Sequence, residues 1–448
     1  MAKVVPSGKH CTVNPLKLSQ PLGGAAAFMG LDGCLPMLHA AQGCTAFALV
    51  LLVRHFREAI PFQTTAMNEV TTILGGSDNL EQAILNVVER AHPKVIGICS
   101  NGLIEARGED VRGDLKLIRA RHPELRDTAL VYVRTPDYQG GFQEGWSAAV
   151  SAVVEELVEA LPGRNLHQIN ILAGSHLTPA DLEEIRDTAE AFGLFPIILP
   201  DIAGSLDGHV ADTYVATTLG GTGVDDIRRM GRSVVSFALG RQMEAAARRI
   251  EARCGVPVEI FDRLTGLTAW DDFIAALARV SGTPVPQAIR RRRSQLLDAM
   301  LDGHFYFGGK RVAIAAEPDL LLGLSQFLAD MGAQVATAVA TTDCEVLAAV
   351  PAESVTIGDL DDLERLAAGC DLLISHSHGA RIAGRLGIAF FRAGFPNFDR
   401  LGAAHRLSVG YRGARDLIFE IGNLFIAGEH GHGARIRQGG EHAAVAGG

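Results

Sequence analysis

What the chain lacks narrows its function first. Over 448 residues there is no G-x-x-x-x-G-K-[ST] motif, because Gly308-Gly309-Lys310 runs into Arg311 with the wrong spacing. ATP chemistry by this chain alone therefore has no support. The H-E-x-x-H pair of zinc proteases is absent too. The 7 cysteines include no C-x-x-C, and an odd number spread over a long chain indicates neither a secreted disulfide framework nor a zinc ribbon. Positive charge is not in excess: 41 basic against 51 acidic residues give a formal charge of −10, which speaks against general affinity for nucleic acid or anionic lipid. The longest apolar run worth testing, Ala46 to Val53, stops at Arg54 and falls far short of the ~20 residues that cross a bilayer. It reads as the start of a buried helix. Met1 to His10 carries lysines with no apolar segment behind them, so no secretory signal is legible. A cytoplasmic protein is expected, with reduced thiols and with no membrane or nucleic acid partner.

What is present is ordinary globular composition, 48% apolar and 21% charged, on a length that corresponds to about three domains. Apolar runs bounded by turn signals alternate with helical periodicity, the pattern of parallel α/β layers. Strands are predicted at Lys94–Ser100, Leu130–Arg134, Gln168–Ala173, Pro196–Leu199, Val234–Leu239, Arg311–Ala316 and Asp371–Ser375. Helices are predicted over Gly113–His122, Gly145–Ala160, Pro179–Phe192, Arg241–Arg253, Arg290–Leu301 and Pro318–Met331. Thr178 and Asp181 bracket the start of the Pro179 helix as a cap. The fold class expected is α/β, with three doubly wound Rossmann-like units of parallel strands. Their boundaries fall at 1–163, 164–300 and 301–448. Ligands of such sheets sit in loops at the carboxyl ends of strands, here the loops after Ser100, Pro200, Ala316 and Ser375.

Several features each admit two readings. Gly220-Gly221-Thr222-Gly223 is an anion cradle or a plain turn before a helix. Arg290 to Arg293 docks an acidic partner or forms a solvated helix face. His376 and His378, one residue apart after a strand, lie on one face as half of a metal site, or play no metal role. His430 and His432, in the glycine-rich tail from Gly428 to Gly448, are solvated or bind metal adventitiously. The tail itself reads as loosely ordered at its end.

The N-terminal cysteines are the most informative. Cys44 follows Ala41-Gln42-Gly43 and precedes a helix predicted to begin near Thr45. A thiolate there gains from the positive end of the helix dipole, and the glycine lets a bulky ligand approach. Iron–sulfur clusters use such thiolates, usually four per cluster. The alternative is that Cys11, Cys34, Cys44 and Cys99 are small core residues.

Ser19 to Phe47 (SQPLGGAAAFMGLDGCLPMLHAAQGCTAF) closely resembles the cysteine-loop region of nitrogenase beta-type subunits, and Arg54 to Gly76 continues it. Ile96–Val111, Leu199–Gly208, Ile374–Arg381 and Gly394–Asp399 carry the resemblance to the C-terminal unit. The chain is thereby identified as a member of the nitrogenase component 1 superfamily. Its opening block, Cys11 to Gly24, is most similar to the beta-like subunits of the scaffold on which the iron–molybdenum cofactor is completed. A nitrogenase beta subunit would supply three cysteines to its eight-iron P-cluster. Two of the matching positions here are Ser19 and Gly102, and Cys44 alone remains. Cys99 lies three residues upstream of the matching position, and Cys34 sits in what reads as a packed structural turn.

The resemblance implies a set of expectations. Cys44 is the one ligand from this chain to a 4Fe–4S cluster at a subunit interface, with the other ligands on a NifE-like alpha subunit. The two chains form a heterotetramer of two copies each. An iron–molybdenum cofactor precursor resides mainly on the partner and receives molybdenum and homocitrate with the help of the nitrogenase iron protein, a transient partner. The chain is not expected to be active alone. Ile73 and Leu74 match the segment nitrogenase uses against the iron protein; they form a docking patch or simply end a buried helix. The catalytic alternatives are a nitrogenase beta subunit and the beta-like subunit of light-independent protochlorophyllide reductase.

Overall fold

The computed structural model describes residues 1–210 and 212–441, with side chains as far as 428. The chain begins with β1 (Lys3–Pro6), α1 (Gln20–Phe28), β2 (Cys34–Leu38), α2 (Gln42–Phe56), β3 (Gln63–Thr64), α3 (Glu69–Leu74) and α4 (Ser77–Ala91). It continues through β4 (Val95–Cys99), α5 (Gly102–Arg107), α6 (Val111–Arg121), β5 (Ala129–Val133) and α7 (Phe142–Leu157). Next come β6 (Gln168–Ala173), α8 (Pro179–Ala191), β7 (Phe195–Leu199), α9 (Val224–Arg229), β8 (Ser236–Leu239), α10 (Glu244–Cys254), β9 (Val258–Phe261), α11 (Leu267–Ser281) and α12 (Gln287–Phe307). The last stretch holds β10 (Arg311–Ala316), α13 (Pro318–Asp330), β11 (Gln334–Ala340), β12 (Ser354–Ile357), α14 (Leu360–Leu366), β13 (Leu372–Ser375), α15 (Ala380–Leu386), β14 (Ala389–Arg392) and α16 (Gly410–Glu441).

These strands form three parallel sheets, ordered β3-β2-β4-β5, β7-β6-β8-β9 and β1-β12-β11-β10-β13-β14. The central strands β4 and β6 are buried along their length, and β10 is buried from Val312 onward, as a parallel sheet covered by helices on both faces requires. The three-sheet α/β architecture read from the sequence is thus the one observed. The three sheets share a core: Phe28, Phe237 and Ile314 belong to one continuous buried cluster.

Some expectations need correction. The first strand does not follow the boundary at 163. β1 pairs in register with β12, so the N-terminal residues complete the third sheet. The 46–53 run is not buried all round: Ala48, Leu51 and Leu52 face the core, while Phe47, Val50 and Val53 are exposed. Cys34 stands in the fully buried β2 and not in a turn, because its backbone pairs with Val95 of β4. α7 starts three residues before the predicted Gly145, where the Glu144 carboxylate accepts the Gly141 amide at 2.6 Å and seeds the first turn. α12 runs beyond both predicted ends. The Gly428 to Gly448 tail falls largely outside the described residues; α16 carries the backbone to Glu441, and the His430 and His432 side chains lie outside the description.

α1 and α7 cross with their backbones in contact. A β-carbon on Gly23 would land on the carbonyl oxygen of Phe142, and one on Gly145 on the carbonyl oxygen of Gln20. Gly23 and Gly145 therefore set how closely the two buried helices approach.

Candidate metal centre

The carboxyl edge of the first sheet gathers the residues singled out in the sequence. Leu38 at the end of β2 pairs with Thr64 of β3 and Cys99 of β4, and Cys99 pairs with Val133 of β5. The segments that follow these four residues therefore leave from one edge. They carry Cys44, Ile73 and Leu74, Gly102, and Tyr138. Ser19 joins them from α1, since the neighbouring Gln20 side chain donates to the Gln139 carbonyl at 2.9 Å.

Cys44 is the third residue of α2. The helix opens at Gln42, earlier than predicted, after an extended Ala41 that offers no side-chain cap. Cys44 thus lies within the first turn, among backbone amides that have no acceptor inside the helix. Its side chain is exposed, and the space around Gly43 is open. Phe47, 69% exposed, and Val50 and Val53 continue from it along α2 at three-residue spacing. Their i, i+3, i+6 pattern was legible in the sequence, but the reading of a buried helix concealed it.

The other cysteines separate from Cys44 by environment. Cys34 and Cys99 are fully buried, and burial pushes both thiols far above their ordinary range, which disfavours thiolate ligation. Burial also raises Cys254 and Cys370, and it pushes Cys344 up to about 12. Cys11 is exposed but belongs to the third sheet's side: Lys9 pairs with Asp359, and the Val13 amide donates to Asp359 Oδ2 at 2.8 Å.

The two positions that lack cysteine are built for other purposes. Ser19 is the exposed residue that precedes α1. Gly102 donates its amide to Asp137 Oδ1 at 2.9 Å, and a β-carbon there would lie 3.1 Å from the Tyr138 ring. Among the described residues no group of three or more histidine, cysteine or acidic side chains converges to hold a metal.

Ile73 and Leu74 do not end a buried helix. They are 75% and 79% exposed, with Val70 beside them, and no residue of α3 is buried. α3 is framed by an Asn68–Thr71 capping box and by Gly75 at φ 131°, a conformation open to glycine. The Gly76 amide behind it donates to Glu109 Oε1 at 2.6 Å.

The remaining candidates resolve into structural roles. β13 ends at Ser375, and a short turn swings His378 away, so the two histidine rings meet edge to face at 5.1 Å and share no face. His376 Nε2 donates to the Leu16 carbonyl at 3.2 Å, and burial lowers the ring's pKa to about 4. Gly220 and Gly221 adopt positive φ and pack against Gly204 and Gly30, so this turn is a joint between loops and offers no cradle. Within the arginine tetrad, Arg293 grips Asp271 and Arg292 lies 3.6 Å from Glu184, while Arg290 and Arg291 face solvent. Asp319, in the first turn of the helix after Ala316, lines a cavity of about 550 Å³, whose Arg134, Arg241 and Arg249 are each paired with a carboxylate.

The sequence model for nitrogenase component 1 type oxidoreductases matches residues 19–426. The chain belongs to the nitrogenase component 1 family. Relatives named nitrogenase iron-molybdenum cofactor biosynthesis protein NifN resemble it over almost their full length. That of Bradyrhizobium diazoefficiens is 57% identical, covering 95% of this chain and 92% of the relative. That of a Nostoc species is 52% identical over 98% of both, and that of Klebsiella pneumoniae 40% identical over 98% and 96%. Among solved structures, a chain of nitrogenase Cp1 at pH 6.5 superposes with a TM-score of 0.90 at 32% identity, covering 94% of this chain and 95% of that one. This nitrogenase component 1 fold is held here without a helix among the described residues long and apolar enough to cross a membrane.

Proposed function

We propose that this chain is the beta-like subunit of the cytoplasmic scaffold on which the nitrogenase iron–molybdenum cofactor is completed. Its near full-length similarity to proteins of that name supports the reading. The single observation that carries the choice over a nitrogenase beta subunit is the pattern at the first sheet's edge. Cys44 is exposed and accessible, while Ser19 and Gly102 occupy the two other cysteine positions and Tyr138 crowds Gly102. The same edge speaks against a protochlorophyllide reductase subunit, whose cluster ligands are distributed differently.

Cys44 is the one ligand this chain gives to a 4Fe–4S cluster shared with a NifE-like alpha subunit, two copies of each chain making the assembly. Such a cluster supplies electron relay. The unsatisfied amides of the first turn of α2 stabilise the thiolate charge, and the open space at Gly43 admits the cluster's bulk. Phe47, Val50 and Val53 bury against the alpha-like chain and exclude water from the site. Because neither chain completes the ligand set, metal binding is linked to assembly. Ile73 and Leu74 give the nitrogenase iron protein a small apolar contact, and the cofactor precursor rests mainly on the partner.

The test is anaerobic purification of the two-chain complex, with iron analysis and electron paramagnetic resonance after reduction. Cys44→Ala removes or destabilises the 4Fe–4S signal. An unchanged spectrum and iron content would defeat the ligand assignment, and an eight-iron cluster would return the chain to the nitrogenase subunits.

A further inference from the structure

Helix α3 is suspended at the sheet edge, and His39 lies beneath both of its ends. On the entry side His39 Nδ1 is 2.9 Å from Thr65 Oγ1, while the Thr65 and Met67 amides donate to the Leu38 and Ala40 carbonyls. On the exit side the ring packs so tightly under Gly76 that a β-carbon there would lie 2.9 Å from His39 Cε1. Glu109 clamps the same glycine through its amide. Between the two ends, His39 Nε2 and Glu109 Oε2 face each other at 4.0 Å. Both atoms are buried, and neither has a hydrogen-bond partner among the described residues, although Arg107 Nη1 stands 3.6 Å from that oxygen.

A buried donor and a buried acceptor left about 1 Å beyond bonding distance are costly, and they have a closed state within easy reach. α3 is the element able to supply that movement. It buries no residue, its exit is a glycine hinge at Gly75, and so it belongs to the least stable part of the fold. His39 in turn leads through Ala40 and Ala41 directly into the first turn of α2.

We propose that docking on α3 is transmitted to Cys44 by closure of the His39–Glu109 pair. The inference rests on the reading of α3 as a docking surface and of Cys44 as a ligand. Contact at Val70, Ile73 and Leu74 seats α3, and Gly76 carries Glu109 Oε2 into hydrogen-bond reach of His39 Nε2–H. The segment between His39 and Cys44 is thereby fixed. Closure requires the tautomer with the proton on Nε2, which leaves Nδ1, 2.9 Å from Thr65 Oγ1, to accept from that hydroxyl. Burial keeps the ring neutral, its pKa lowered to about 4. His39 and Glu109 are positioning residues, acting through the backbone of α2.

Hydrogen–deuterium exchange of the two-chain complex, with and without the iron protein, tests this. In the wild type, docking slows exchange about threefold or more both in 65–76 and in 38–47. Glu109→Ala removes the carboxylate, so no closed pair can form with His39 in either tautomer. His39→Asn keeps the contact to Thr65 and removes Nε2. Both variants retain protection of 65–76 and lose that of 38–47. Protection of 38–47 persisting in both variants overturns the link. Absence of protection at 65–76 in the wild type overturns the docking surface itself, and the inference with it. Iron content, measured in parallel, reports separately on Cys44 as a ligand.

Discussion

Gly23 of α1 rests against the carbonyl of Phe142 in α7, with no room for a β-carbon between them. The contact is backbone to backbone, so no side chain can swing aside to relieve an added methyl. Gly23→Ala is expected to destabilise the chain by about 3 kcal/mol, the upper part of the range for overpacking a tight interior. A denaturant titration of wild type and variant measures it; a loss below about 0.5 kcal/mol would mean the helices slide apart freely.

Ile73 and Leu74 contribute nothing to the core in the free chain, so replacing either by Asp is expected to leave stability within about 0.5 kcal/mol. If the iron protein docks there, burial of one such side chain is worth roughly 1.5–3 kcal/mol, and the dissociation constant rises about tenfold or more per substitution. Binding and melting measured on the same samples separate the two effects.

Glu317 introduces a pH dependence. Its Oε2 accepts from Thr341 Oγ1 at 2.7 Å, and burial together with the nearby Glu144 carboxylate pushes its pKa from 4.5 up to about 8. Below pH 4.5 the folded and unfolded states both hold the proton. Between 4.5 and 8 the unfolded state releases it while the folded state retains it, so stability falls as pH rises, by at most about 1.4 kcal/mol per unit. Above 8 the dependence ends. Glu317→Gln flattens this slope and raises stability at pH 8 by up to about 5 kcal/mol, as read from melts across the window. A variant with the same slope as wild type would assign the dependence elsewhere.

Asp181 does more than cap its helix. Its Oδ2 accepts the Thr178 amide at 3.0 Å, while Oδ1 accepts the Ser408 and Val409 amides at 2.6 and 3.1 Å. Asp181→Ala strands those buried amides and is expected to cost about 4 kcal/mol, against about 1 kcal/mol for a cap alone. Denaturant unfolding distinguishes the two magnitudes.

Asp181 also marks the line between what sequence and tertiary structure each decide. The capping pair with Thr178 was legible because it is local: three residues and one turn of helix fix the geometry. The strands Gln168–Ala173 and Arg311–Ala316 were legible to the residue, because a buried parallel strand is a short apolar run with a turn on either side. The same Oδ1 contacts to Ser408 and Val409 were not, because they lie across more than two hundred residues and leave no periodic trace.

At the sheet edge the division is the same. The resemblance to nitrogenase beta-type subunits drew attention to Ser19, Cys44 and Gly102, and that needed no coordinates. Whether Cys34, Cys99 or Cys44 is open to a ligand depends on burial, which a cysteine's neighbours in sequence do not fix. The 46–53 run shows why: its hydrophobicity is a sum over residues, but exposure of Phe47, Val50 and Val53 depends on which face of α2 meets the core. His39 and Glu109, seventy residues apart, become neighbours because β2, α3 and the turn after α5 meet at one corner. The sequence determined the layers and the locally capped helix start at Pro179. Tertiary packing decided which surfaces stay open around Cys44, because solvent access belongs to the assembled layers and not to any single segment.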